Sequence, residues 1–412
     1  MDTTTLTLPL YVHIPFCRFK CYYCDFNTYA GIETLIPDYV DALTGEIRRW
    51  GEALRINGAD PGASSIFFGG GTPSLLSPGH VAAILNAISQ SFRLHSGIEI
   101  SMEVNPESVT REFVRDVMAL GVNRFSMGAQ SLNNSELRML GRLHDNGGVD
   151  RAFTALRDGG ARNVNLDLMY GLPRQTCETW ESSLRGALAL EPEHISLYAL
   201  TVEESTPFHG WVASGRLPTP DPDLAADMYE IAQERMRAAG YEHYEISNWA
   251  RAGQECRHNL AYWLNVPFLG FGPGAHSHLF GARFSVIRQP RDYIRRMAQL
   301  GQQPAPRMMP PLEGPMSESA ALSAVAPIDA VDPYSEQMRR AETLVLGLRL
   351  NRGVAEQEYQ ERFGARPTEL YADAIETSIA DGLLERVDDV LRLTPRGRLL
   401  SNEVFVRVMS LP

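Results

Sequence analysis

Six short apolar runs set the folds open to this chain: LYVHIPF (10–16), SIFFGGG (65–71), IEISMEV (98–104), RFSMGAQ (124–130), VNLDLMY (164–170) and HISLYALT (194–201). Most lack strict alternation, as expected of parallel strands covered on both faces. Helical stripes separate them. Val40, Leu43, Ile47, Trp50 and Leu54 recur at helical spacing after the first run, and Val81, Ile84, Leu85 and Ile88 after the second. Phe113, Val114, Val117, Met118 and Leu120 follow the third, Phe153 and Leu156 precede the fifth, and Trp180, Leu184 and Leu188 precede the sixth. Repeated strand–helix alternation predicts an α/β fold with right-handed crossovers. A partial (β/α)6 TIM-like barrel over residues 1–240 fits it, with a closed eight-stranded barrel or a doubly wound sheet left open by pattern alone. In a barrel, chemistry belongs on the loops that follow the strands.

The rest of the chain reads differently. Residues 241–300 are aromatic, Gly- and His-rich, and read as an extension of the barrel. Residues 301–335 are rich in Pro, Ala and Ser, the composition of a linker or insertion. Residues 336–412 predict helices and a hairpin, LLERVDDVLRLT, turning at Asp388-Asp389. That is the make-up of a small winged-helix-like α+β domain.

Composition narrows the function classes. The net charge of -12 over 412 residues argues against nucleic acid as a partner. No apolar run approaches the ~18 residues of a membrane span. The start, MDTTTLTLPLYVHIPF, lacks the pattern of a signal peptide. A cytoplasmic location is expected, with a peripheral contact at the inner face of the membrane left open.

Three of the five cysteines, Cys17, Cys21 and Cys24, follow the first strand as C-x3-C-x2-C. Thiolates are the usual ligands of iron–sulfur clusters. A zinc site wants four closing ligands, and Asp25, adjacent to Cys24, is a poor fourth. The second strand ends in Gly69-Gly70-Gly71-Thr72-Pro73, where glycines admit close approach of backbone to a ligand. Glu103, Gln130 and Asp167 lie on or at the ends of later strands, and Arg142 just beyond the fourth. Buried polar groups need partners. Several of them at successive strand exits point to one shared polar ligand.

CRFKCYYC resembles the cluster motif of the radical S-adenosylmethionine (SAM) superfamily. The resemblance implies a [4Fe-4S] cluster on Cys17, Cys21 and Cys24, its open iron chelated by the amino and carboxylate groups of SAM. In that family an electron from the cluster cleaves SAM to a 5′-deoxyadenosyl radical. It also implies a SAM shell of Tyr11, Tyr23, Gly70, Gly71, Thr72, Glu103, Gln130, Arg142 and Asp167. No catalytic residue is assigned.

YVHIPFC, GGGTPSLL, LGRLHD, DLMYGLPRQT and SLYALTVEESTPF are similar to the oxygen-independent coproporphyrinogen III oxidase group over residues 10–290. One branch of that group decarboxylates coproporphyrinogen III. The other, the HemW subfamily, carries haem. The decarboxylases have a cysteine two residues after the third cluster ligand, where this chain has Phe26, and a long extension before the motif, where this chain has 16 residues. His258-Asn-Leu-Ala-Tyr-Trp263 matches the HNxxYW signature of the haem-binding branch. The resemblance therefore implies a haem chaperone, with His258 as haem iron ligand and Tyr262 and Trp263 against the porphyrin. Its partners would be haem and a haem-acceptor protein, such as a membrane respiratory one. Decarboxylation of coproporphyrinogen III is the enzymatic rival, and a haem or cluster scaffold without radical turnover is a third possibility. Gly270, Gly272 and Gly274 read as a family loop near the barrel mouth and not a dinucleotide fingerprint. Cys177 reads as packing, and Cys256, two residues before His258, as a free thiol with a second haem contact as the alternative.

Overall fold

The computed structural model describes residues 4–305 and 319–410. The chain forms two units, residues 1–232 with 267–333, and residues 233–266 with 334–412. Among the described residues no helix is long and apolar enough to cross a membrane.

In the first unit seven strands run parallel: β1 (Thr4–Ile14), β2 (Ala59–Gly70), β3 (Arg93–Val104), β4 (Arg124–Gln130), β5 (Val164–Tyr170), β6 (His194–Ala199) and β7 (Leu269–Phe271). β1 to β6 lie side by side in chain order, and β7 closes the other flank of β1. Between them run α1 (Ile36–Ile56), α2 (Pro78–Ser91), α3 (Arg111–Ala119), α4 (Asn134–Leu140), α5 (Asn146–Asp158) and α6 (Cys177–Ala189). A doubly wound sheet would reverse its strand order at a switch point. None occurs from β1 to β6, so the fold is the partial barrel. β7 was not expected as a strand. It is only three residues long and centred on Gly270, and its pairing of Leu10 with Leu269 is a tertiary event.

Register decides what the sheet presents. Tyr11 pairs with Phe67 and Phe67 with Ser101; Glu103 pairs with Ser126 and Ser126 with Asn165; Asp167 pairs with Ser196. Partners in register, and residues two apart on a strand, share a face. One face thus carries Tyr11, Ser101, Glu103, Ser126, Asn165, Asp167 and Ser196. The other carries Val12, Phe68, Met102, Phe125, Met127, Leu166 and Leu197, all buried. The strands do alternate, contrary to the expectation of apolar cover on both faces. Small Ser and Asn side chains mask the alternation in the sequence.

The helices supply the outer core. On α1, Leu43, Ile47, Trp50 and Leu54 are buried as their spacing predicts, and Trp50 stacks on Phe284 at 5.6 Å. Strands His276–Leu279, Ala282–Val286 and Ile328–Pro333 make a small antiparallel sheet in the same unit. The last of these falls in the 301–335 stretch that reads as a linker; residues 306–318 of it lie outside the described residues. Arg49 of α1 donates to the carbonyls of Gln303 at 2.7 Å and Val325 at 3.2 Å.

The second unit has a three-stranded sheet in the order Val354–Ala355, Val390–Leu393, Leu384–Val387. Its hairpin turns at Asp388-Asp389 as expected, with Asp388 in the left-handed region at φ 55. Helices Glu336–Leu348, Glu356–Phe363, Ala372–Ala380 and Ser401–Met409 bring Leu344, Leu348, Tyr359, Ile375 and Val404 into one core with Leu391 of the sheet. The HNLAYW segment is a helix, Arg257–Trp263, in this same unit. Arg362 holds its end, donating to the carbonyls of Leu264 at 3.1 Å and Asn265 at 2.8 Å.

Candidate functional site

The three cysteines lie on the loop that leaves β1. The loop is held at intervals by backbone and side chains. Tyr22 N–H donates to Leu140 C=O at 3.1 Å, Phe208 N–H to Tyr22 C=O at 3.1 Å, and Tyr29 N–H to Pro15 C=O at 2.8 Å. Asn27 Nδ2 donates to Pro273 C=O at 2.9 Å and Arg288 C=O at 3.0 Å. Lys20 Nζ donates to Phe26 C=O at 3.0 Å, while the Phe26 ring is 63% exposed.

The glycine run fits against this loop. Gly71 N–H donates to Ile14 C=O and Thr72 N–H to Phe16 C=O, both at 2.8 Å. Gly70 has φ +113, and a Cβ there would fall 2.7 Å from the His13 ring. At Gly71 a Cβ would fall 2.6 Å from Phe16 O and 3.0 Å from Cys17 Sγ. No residue with a side chain fits either place without displacement. His13 itself was not singled out in the sequence. Its Nε2 faces the Asn27 carbonyl at 2.9 Å, so that nitrogen carries the proton, and Tyr11 OH donates to Nδ1 at 3.1 Å. Burial lowers its pKa to about 4, which keeps the ring neutral.

Arg142 arrives by a helix end. Gly141, at φ 76, terminates α4; Gly141 N–H donates to Arg138 C=O at 3.2 Å and Arg142 N–H to Leu137 C=O at 2.9 Å. This left-handed stop turns the next side chain inward. Arg142 Nη2 donates to Asn105 Oδ1 at 2.6 Å and Gly128 C=O at 2.7 Å, and Nη1 to Cys21 Sγ at 3.4 Å. Its Nε is buried with no partner. Thr72 Oγ1 donates to Cys17 Sγ at 3.7 Å and accepts from Asn105 Nδ2 at 2.8 Å. Sequence reasoning missed Asn105, whose only signal was its place after Glu103 at a strand exit.

The sheet's polar face brings the carboxylates. Glu103 Oε2 accepts from Gly70 N–H at 3.0 Å. Burial, and then the charge of Asp167, push Glu103 up to about 7. Asp167 accepts from Ser126 Oγ at 3.1 Å and Asn165 Nδ2 at 2.8 Å, and burial raises its pKa. Gln130 ends β4 beside a register shift, with φ 66. Tyr11, Glu103, Gln130 and Asp167 are each partly exposed on strands whose other central positions are buried. Partial exposure at those positions is what a ligand-lined surface requires. Tyr23 packs by Leu140, Met169 and Phe208, and desolvation raises its phenol pKa.

The donor set suits a cluster. Burial raises the Cys17 thiol, and raises Cys24 to about 11, so metal loading here releases protons. Among the described residues no three His, Cys, Asp or Glu side chains gather as a single ion would need. Hydroxyl and guanidinium donors lie on two of the sulfurs, and glycine backbone packs against the first.

His258 belongs to the second unit and is described there. It is 1% exposed, its ring meets Tyr262 edge-on at 5.0 Å, and Nε2 lies 3.0 Å from Tyr262 OH. Arg349 stacks over Trp263 at 4.5 Å, and Trp263 Nε1 is buried with no partner.

Residues 11–187 match the radical SAM superfamily, and residues 334–400 match the HemN C-terminal domain. The heme chaperone HemW of Bacillus subtilis is 34% identical over 400 residues, covering 96% of this chain and 97% of that protein. The heme chaperone HemW of Synechocystis is 38% identical over 365 residues, covering 86% and 81%. The structure of coproporphyrinogen III oxidase (HemN) from Escherichia coli superposes with TM-score 0.79 at 21% identity, covering 99% of this chain and 90% of that one, a likeness of fold. On that identity and coverage, the chain belongs to the HemW heme chaperone family within the radical SAM superfamily.

Proposed function

We propose that this protein binds haem and passes it to an acceptor, and that it holds a [4Fe-4S] cluster and SAM beside that task. The observation that carries this is the near full-length similarity to relatives named heme chaperone HemW. Phe26, standing where decarboxylases place a cysteine, supports it.

Cys17, Cys21 and Cys24 would hold the cluster, which supplies an open iron for the methionine end of SAM and an electron. The residues around it have separate tasks. Arg142 and Thr72 set the sulfur hydrogen bonds. Gly70 and Gly71 keep the backbone close to the cysteine loop. Glu103 and Asp167 offer carboxylate oxygens to amine or hydroxyl donors. Tyr11, Tyr23 and Gln130 complete the proposed shell. Haem, as cargo, would be ligated by His258. Ligation through imidazole Nε2 would displace Tyr262 OH from that nitrogen. The residue ranges proposed for the domains are 1–240, 241–300, 301–335 and 336–412.

One anaerobic experiment tests the choice of function. The cluster is reconstituted, then haem is offered to one sample, and coproporphyrinogen III with SAM and a reductant to another. Stoichiometric haem uptake with no protoporphyrinogen is expected. Protoporphyrinogen formation would overturn the carrier reading. Replacing all three cysteines must abolish the iron–sulfur absorbance if the cluster sits where we place it.

A further inference from the structure

We infer that Asn105 is a positioning residue that fixes the hydrogen-bond donors on two of the three cysteine sulfurs, and through them the potential of the cluster. This rests on the cluster proposed above.

A carboxamide donates at one end and accepts at the other. Asn105 uses both ends at once: Nδ2 donates to Thr72 Oγ1 at 2.8 Å, and Oδ1 accepts from Arg142 Nη2 at 2.6 Å. A hydroxyl that accepts from Asn105 has its single proton left for another partner, and Cys17 Sγ lies 3.7 Å away. A guanidinium anchored through Nη2 presents Nη1, and Cys21 Sγ lies 3.4 Å away. One amide therefore sets the direction of both bonds to sulfur. Asn105 is itself anchored: its carbonyl accepts from Ser108 N–H at 2.9 Å and from Ser108 Oγ at 2.8 Å. Gly128 leaves it room, since a Cβ there would fall 3.1 Å from Asn105 Oδ1 and 3.0 Å from Gln130 Nε2.

Hydrogen bonds to cluster sulfurs tune reduction potential. They stabilise the more negative, reduced state, so removing them lowers the potential. Asn105→Asp keeps the acceptor for Arg142, draws the Thr72 proton away from Cys17, and adds a negative charge that lowers the potential in its own right. Thr72→Val removes the same bond from the other side. Asn105→Leu removes both ends.

The test is a redox titration of the reconstituted cluster, followed by electron paramagnetic resonance, in the wild type and these three variants. The expected result is a shift to more negative potential in Thr72→Val, a larger one in Asn105→Leu, and a shift in Asn105→Asp that exceeds that of Thr72→Val through its added charge. Four equal midpoints overturn the inference, because a merely structural role would not move the potential. If Asn105→Leu fails to fold, Asn105→Ser, which adds no charge, replaces it, and a midpoint equal to the wild type in that variant overturns the inference. A wild type that assembles no cluster would instead remove the cluster assignment beneath the inference, a separate failure.

Discussion

Arg142 Nη1 lies 3.4 Å from Cys21 Sγ, although 121 residues separate the two in the chain. The same side chain satisfies Asn105 Oδ1 and Gly128 C=O. Arg142→Ala would leave both acceptors without this donor. We expect a loss of about 1–3 kcal/mol, read by chemical denaturation of the metal-free protein. Arg142→Lys recovers only part, since an ammonium cannot reproduce the guanidinium fork. Full stability in Arg142→Ala would show that these contacts do not bear on the fold.

The glycines separate crowding from backbone strain. Gly70 and Gly31 both have positive φ, +113 and +76, but a Cβ at Gly31 meets nothing within 4 Å, while at Gly70 it falls 2.7 Å from the His13 ring. Gly31→Ala should cost about 1 kcal/mol from conformation alone. Gly70→Ala should cost more, about 3 kcal/mol, and impair cluster retention as well. Thermal melts and iron content of the two variants check this. Equal effects would refute the steric account.

Glu46, on α1, is fully buried and accepts from Gly272 N–H at 2.9 Å and Tyr293 OH at 2.6 Å. Burial pushes it up from 4.5 to about 7, although the donors Tyr293, Gly272 and Trp50 oppose the shift. The sign follows from linkage. Below the unfolded value both states hold the proton, and the stability from Glu46 is complete. As pH rises through the folded value that contribution is lost, on the order of 3 kcal/mol. Glu46→Gln should therefore gain stability relative to wild type between about pH 5 and pH 8. Urea midpoints of the two proteins across that range give the answer, and parallel curves would exclude a titrating Glu46. Glu103 titrates in the same window, but it is common to both proteins and cancels.

For haem, the contact between His258 Nε2 and Tyr262 OH at 3.0 Å gives a paired prediction. His258→Ala should lose the haem absorption band on titration. Tyr262→Phe removes a competitor of the iron for Nε2, worth about 1 kcal/mol, and should tighten binding roughly fivefold. Normal haem spectra in His258→Ala would rule out this ligand.

The chain's sequence determined the class of chemistry and the frame that carries it. C-x3-C-x2-C places three thiols within one turn of loop, and six apolar runs between helical stripes demand a parallel sheet. These signals are local, so spacing alone conveys them. Phe26 and HNLAYW are legible for the same reason. What links the parts is not local. Asn105 meets Thr72 across 33 residues and Arg142 across 37, and those contacts exist only in the register that sets Glu103 beside Ser126. The polar inner face, the strand hidden in Leu269–Phe271 and the role of His13 beneath Gly70 arise in the same way. A hydrogen bond between distant residues depends on where the backbone carries both ends. Sequence fixed which groups were available to the site, and the tertiary structure decided which of them touch the cysteines.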